Sequence, residues 1–370
     1  MTRKGAPVRT TITPLTAPHD ASHPDLVRYV EIMNASYAHD AGNGLLTWRP
    51  DVELSRLRRQ EHRVVRVFLA RTGDEIVGAG SLEFERSTSR DVELMVSVDP
   101  ARRDPALADA LYERLEHEAR ALGRTNAIEY SSTATDVRGL DEADVIRPSS
   151  GIGGLPRAAD SVRLLLARGY SLGLVERASV HDLRADPSPI RAMLEAAERT
   201  AGSAYEAVWW CGRTPDEYVD AYAYAISRMS TDAPHGDIDV EEETWDAARI
   251  RAREDRVASI DQLWGITAVV HRPSGRIVAF NELVLGADRT DTTENYGTLV
   301  LAEHRGRRLG TIVKCLGLLK WREVAPDSPA VFTFNAEVNR YMLDVNEAAG
   351  FVPMHWEGAW NKQLAPAVSA

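Results

Sequence analysis

The stretch Val300-Leu301-Ala302-Glu303-His304-Arg305-Gly306-Arg307-Arg308-Leu309-Gly310-Thr311-Ile312-Val313 decides the fold. It reads as a strand from Tyr296 to Leu301, a tight basic loop, and a helix from about Arg308 whose apolar face carries Leu309, Ile312, Val313, Leu316 and Leu319. A strand, loop and helix in that order aim free backbone N–H groups at one spot, which suits a pyrophosphate. Gly306 and Gly310 permit close backbone approach, Arg305, Arg307 and Arg308 can pair with phosphate oxygens, and Lys314 lies one turn further on. The plainer alternative is a solvated helix start decorated with arginines.

Working outward, Trp264 to His271 and Ile277 to Leu285 form a hairpin around Arg272-Pro273-Ser274-Gly275-Arg276. Beyond the helix come a strand from Ala330 to Phe334, a helical pattern through Val338, Tyr341, Met342, Val345 and Ala349, and a last strand from Met354 to Trp360. The order is β-β-β-α-β-α-β. The N-terminal half repeats it, with strands over Val64 to Ala70, Ile76 to Phe84 and Asp91 to Val98. Ile76-Val77 recurs 201 residues later as Ile277-Val278, and Val98 and Arg103 recur 202 residues later as Val300 and Arg305. Gly169-Tyr170 recurs after only 181 residues as Gly350-Phe351, so the first half holds about 21 extra residues between Ser131 and Pro156. Asp186-Pro187-Ser188-Pro189 marks the boundary, giving domains 1–185 and 186–370.

With 370 residues and 44% hydrophobic residues the chain suffices for two cores. A formal charge of −11 disfavours a general nucleic-acid partner. There is no uncharged stretch long enough to span a bilayer, and the expected location is cytoplasmic. Cys211 and Cys315 stand alone, so neither a disulfide framework nor a metal site is expected.

These features resemble the GNAT superfamily of N-acyltransferases, whose hallmark is Arg/Gln-x-x-Gly-x-Gly/Ala between the fourth strand and its helix. Arg305 and Gly310 fit it, with Arg308 where the family has glycine. Asn335 through Phe351 is similar to the family's Asn-x-x-Ala-x-x-x-Tyr-x-x-x-Gly-Phe helix, with Asn346 at the tyrosine position. The resemblance implies an α+β (α/β) protein of two tandem GNAT-like domains, each a mixed, mostly antiparallel sheet flanked by helices. It implies an acetyl-CoA co-substrate held by Leu299, Val300, Leu301, Ala302, Arg305, Gly306, Arg307, Arg308, Leu309, Gly310, Thr311, Asn335, Asn339 and Asn346.

The activity it implies is acetyl transfer to an amine of a small molecule by direct attack in a ternary complex, the protein being a monomer or homodimer. An ammonium acceptor must lose a proton before attack, and Glu282, which interrupts an apolar strand, is the first candidate base, with Glu294 and Glu337 in reserve. Asn346 cannot serve as a general acid, which leaves Tyr341, otherwise read as a core residue, or water. Thr214-Pro215-Asp216-Glu217 reads as a capped helix start leading to Tyr218, Tyr222 and Met229. Tyr205, Trp209, Trp210 and the loop Ser230 to Asp239 are candidate acceptor walls. The acidic run Asp237, Asp239, Glu241, Glu242 and Glu243 attracts an amine or forms a solvated face.

In the first half, Asp104-Pro105 replaces the basic glycine loop, and no CoA is expected to bind there. Two rival readings remain. One is a non-catalytic acyl-CoA-binding or scaffold protein, and the other an acyltransferase drawing on aminoacyl-tRNA, which lacks a basic stripe.

Overall fold

The computed structural model describes residues 10–232, 236–238, 241 and 243–365. In chain order the strands and helices are β1 Thr10–Pro14, α1 Pro24–Ala41, α2 Pro50–Arg58, β2 Arg63–Thr72, β3 Glu75–Glu85, β4 Asp91–Val98, α3 Pro105–Ala121, β5 Asn126–Thr133, β6 Val145–Ile146, β7 Leu155–Pro156, α4 Asp160–Ala167 and β8 Ser171–Asp182. There follow α5 Ser188–Ala201, β9 Tyr205–Cys211, α6 Val219–Ser227, α7 Met229–Asp232, α8 Ala247–Ser259, β10 Leu263–His271, β11 Arg276–Leu285, β12 Thr293–Val300, α9 Leu309–Val324, β13 Ala330–Ala336, α10 Arg340–Ala348 and β14 Val352–Gln363. The β-β-β-α-β-α-β order read from the sequence is present in both halves.

The chain divides into two compact units. The first takes Met1–Val175, Gly236–Glu241 and His355–Ala370; the second takes Glu176–His235 and Glu242–Met354. The halves 1–185 and 186–370 each supply most of one unit, but the last strand of each repeat is given away. β14 pairs antiparallel with β5 in the first unit, Trp356 opposite Thr133. The latter part of β8 pairs with β13 in the second, Asp182 opposite Ala330. Local pattern marks β14 and the repeat implies β8; their partners are long-range choices that no window of sequence contains.

In the first unit the sheet runs β1-β2-β3-β4-β5-β14, antiparallel except for β4 with β5. The extra residues between β5 and α4 form two short 3-10 turns and the β6–β7 hairpin. In the second unit the sheet runs β8-β13-β12-β11-β10-β9, again with a single parallel pair, β12 with β13. β11 is buried on both faces, which is why Ile277 to Leu285 reads as a nearly unbroken apolar run. Tyr222 on α6 and Ile250 and Val257 on α8 share one core cluster with Phe280. On the other face α9 buries Cys315, Leu318 and Trp321 against Leu283 and Leu285.

One local expectation fails. Thr214 does not cap a helix: its hydroxyl has no partner among the described residues, its N–H goes to Glu254, and α6 starts only at Val219. Tyr205, Trp209 and Trp210 lie on β9, paired with β10 at the sheet edge. The aromatic run has the β-propensity that suits this placement.

Candidate functional site

β12 leads through a 3-10 turn, Ala302–His304, into the arginine loop. Gly306 has φ 80°, a conformation open to glycine at no steric cost. Arg308 has φ 61° and ψ 17°, also left-handed, at a cost of roughly 1–3 kcal/mol for a residue with a Cβ. α9 then begins at Leu309 with no side chain capping it. The first helical N–H bond closes only from Ile312 to the Arg308 carbonyl, 3.1 Å, so the N–H groups of Leu309, Gly310 and Thr311 lie in the open first turn.

The three arginines divide their work. Arg305 donates to the Val300 carbonyl at 3.2 Å and to the Asp232 carbonyl at 2.7 Å, and Arg307 donates to the carbonyls of Glu303 and Arg305. Both brace the loop and its surroundings. Arg308 is exposed and makes no such bond among the described residues, which leaves its guanidinium available.

A cleft runs from this loop into the sheet. β12 and β13 pair over only three positions, Thr293 with Val331, Glu294 with Phe332 and Asn295 with Thr333, and then separate. Beyond that point Leu299 and Val300 pair only with β11, and Phe334 and Asn335 only with β8, so the facing edges are open. A β-bulge lies beside the point where they part. Glu282 on β11 faces Gly297, yet its neighbour Leu283 faces Asn295, so Tyr296 is an extra residue in β12.

Glu282 points inward from this bulge and is 4% exposed. Tyr222 donates to its Oε1, and Arg253 of α8 approaches the same oxygen at 3.1 Å. Arg253 also donates to the Tyr222 hydroxyl at 2.9 Å. Burial opposes its charge, but Tyr222 and Glu282 hold the guanidinium protonated, while burial pushes the Tyr222 phenol upward. Arg253 is stacked 4.6 Å over Trp264, which Tyr296 meets edge-on at 5.2 Å. A cavity of about 220 Å³ adjoins them, lined by Thr214, Arg253, Val257, Gln262, Trp264 and Ile266 among others. Arg253 had no motif to announce it. The one sequence signal was a charged residue at helical spacing, i+4 and i−4, from Val257 and Arg249 on the buried face of α8.

No protein-family model matches the sequence, and no curated protein matches it. Solved structures do match. A tandem GNAT protein from the clavulanic acid biosynthesis pathway superposes with a TM-score of 0.70 at 21% identity, covering 97% of this chain and 100% of that one. The fold is that of a tandem GNAT protein. A GCN5-related N-acetyltransferase from Sphaerobacter thermophilus gives a TM-score of 0.56 at 15% identity, with 98% of each chain covered. A GCN5-related glucosamine N-acetyltransferase region of a fungal multi-domain GH3 β-N-acetylglucosaminidase gives 0.60 at 13% identity, covering 96% of this chain and 38% of that one.

Within the GNAT fold, the sequence-predicted residues fall into separate groups. Leu299 to Thr311 and Asn335 line the loop and the two open strand edges. Arg308, where the family pattern has glycine, has a left-handed backbone. Asn346, at the family's tyrosine position, is 1% exposed and donates to Asn335 Oδ1 at 2.5 Å, with its own Oδ1 unpartnered among the described residues. Asn339 accepts from the Met342 N–H as the N-cap of α10. Tyr341 is not a core residue: it is 45% exposed, with ring carbon Cε1 3.5 Å from where a Cβ on Gly310 would stand, at the loop end of the cleft and not at the bulge.

Among the reserve carboxylates, Glu337 is held by Arg177 at 2.9 and 2.8 Å and Glu294 lies on β12 opposite Val284. Of the acidic run, Asp239 and Glu242 lie outside the described residues. Asp237 and Glu241 bond within the first unit, the Glu241 carboxylate receiving the N–H groups of Ser89, Arg90 and Asp91. Burial works against that charge, yet those donors hold it down to about 2.

The first unit carries the same frame with two local differences. β3 and β4 pair from Gly78–Val98 to Glu83–Glu93 with no slip in register, so no bulge forms. Its α3 begins with Pro105, and Asp104 caps it, accepting from the Ala106 N–H at 2.9 Å. A carboxylate therefore already occupies the position that is open on α9. No helix among the described residues is long and apolar enough to cross a membrane.

Proposed function

We propose that the second unit is an acetyl-CoA-dependent N-acetyltransferase acting on an amine of a small molecule, and that the first unit binds no CoA. One observation carries this reading. The parallel pair of the second sheet parts after three positions and opens onto the uncapped end of α9, with a buried carboxylate at the bulge beside it.

Phosphates bind at the N–H groups of Leu309, Gly310 and Thr311, aided by Arg308, where the helix dipole favours negative charge. The pantetheine arm pairs with the open edges of Leu299 to Leu301 and Asn335. Tyr341 contacts the cofactor at the loop end. Glu282 takes a proton from the acceptor ammonium, either directly or through one water, and the amine then attacks the thioester in a ternary complex. Tyr222 and Arg253 fix the carboxylate through Oε1 and leave Oε2 turned toward Gly297.

The ion pair of Glu282 with Arg253 favours a second reading, a non-catalytic acyl-CoA binder, because Arg253 and Tyr222 already occupy the carboxylate's Oε1. Thermal unfolding with acetyl-CoA tests the shared premise. At ~100 times the dissociation constant the ligand adds roughly 2.7 kcal/mol to the wild type and nothing to Gly310→Asp. An unshifted wild type rejects both readings; a shift without acetylation of any of a panel of primary amines selects the second.

A further inference from the structure

Only four of the chain's 44 basic residues are lysines, namely Lys4, Lys314, Lys320 and Lys362. Lys314 is 0% exposed. Among the described residues it forms no ion pair, and its single hydrogen bond runs from Nζ to Asn295 Oδ1 at 2.9 Å. An ammonium taken out of water with one neutral partner is costly, and no structural need is visible for a charge there.

Its position follows from the packing of α9 and α10. Gly310 on α9 lies against Met342 and Tyr341 of α10 and Val300 of β12. One turn along α9 is Lys314, and one turn along α10 from Met342 is Asn346. Lys314 reaches Asn295, the last β12 residue paired with β13, while Asn346 reaches Asn335 on β13. The lysine and the asparagine thus close the narrow end of the cleft from the helix side. Glu282 lies at the same level on the opposite face, among α6 and α8.

We propose that Lys314 is the site for the sulfur of CoA, its ammonium stabilising the thiolate as it leaves. This deepens the acyltransferase reading and rests on it. The acceptor nitrogen forms a bond to the thioester carbonyl carbon, the C–S bond breaks, its electron pair goes to sulfur, and the thiolate pairs with the Lys314 ammonium. Glu282 has taken one proton of the acceptor ammonium, and the nitrogen releases its second to water as the amide forms. Asn346, at the position of the family's tyrosine, cannot supply a proton or a charge, and Lys314 supplies the charge from the neighbouring helix. Burial holds the lysine down to about 7, so it is readily charged or discharged near neutrality. The other titratable group beside it, the Cys315 thiol, is pushed up by burial to about 12 and stays neutral. Phe351 lies 5.5 Å away and offers its ring face to the cation.

The test needs no acceptor. CoA is bound to the full-length chain and its thiol is titrated by ultraviolet thiolate absorbance, with desulfo-CoA as the blank. An ammonium within reach lowers the midpoint by roughly one to three pH units from about 8.5, at least tenfold more thiolate at neutral pH. Lys314→Met and Lys314→Gln are expected to restore the free value while still binding CoA, and Lys314→Arg to keep the midpoint low. A bound thiol that titrates like free CoA, or a low midpoint that survives in the Met and Gln variants, overturns the proposal alone. Failure of the wild type to bind CoA in calorimetry overturns the acyl-CoA reading itself.

Discussion

Glu282 and Gly297 face each other across the β11–β12 ladder where its register slips, and a Cβ on Gly297 would stand 2.9 Å from Glu282 Oε2. The slip beside the cleft places a residue without a Cβ opposite the carboxylate and so makes room for it. Gly297→Ala is expected to displace Glu282, costing about 1–3 kcal/mol in stability and lowering kcat while leaving acetyl-CoA affinity intact. Denaturant unfolding, calorimetric titration and turnover on one panel of amines measure all three.

Removing the charge of Glu282 separates binding from chemistry. Glu282→Gln should lower kcat by roughly 100-fold or more. It also strands Arg253, which is 11% exposed at its side chain, and should cost about 3 kcal/mol or more in unfolding free energy. Acetyl-CoA affinity, measured by calorimetry, should stay near the wild-type value because the loop is untouched.

The first unit should remain silent even when its cap is removed. Asp104→Ala leaves the N–H of Ala106 without its side-chain partner and is expected to cost about 1 kcal/mol in stability. Pro105 still lacks an N–H at the first helical position, so calorimetry should find one acetyl-CoA per chain in wild type and variant alike.

Lys314 makes a pH-dependent contribution whose sign is fixed. Its ammonium titrates at about 7 in the folded chain against 10.5 for a lysine side chain free in water, so between those values the unfolded chain binds more protons and stability rises with pH. Lys314→Met should therefore be more stable than wild type at pH 7 and below. Its advantage should shrink by roughly 1.4 kcal/mol per pH unit above that. Parallel unfolding curves from pH 6 to about 10 check the slope; an advantage that grows with pH would contradict it.

The sequence by itself determined the repeat, the strands of the second β-β-β-α-β-α-β series, the first three strands of the other, and the loop. These are local: alternation or apolar runs mark the strands, and glycines and arginines mark the turn from β12 to α9. It also marked Glu282, because a carboxylate inside Ile277 to Leu285 breaks an apolar run. Tertiary structure decided what those elements touch. β14 and β8 pair outside their own repeats because register is settled by complementary faces far away in the chain. Arg253, Tyr222 and Lys314 carry no motif, and their chemistry arises only when α8, α6 and α9 bring them to β11 and β12. The bulge at Tyr296 is a mismatch in length between two paired strands, so it exists in neither strand alone. Whether a charged residue ends in water or inside a cleft depends on which face its helix buries, and that is a property of the packed sheet.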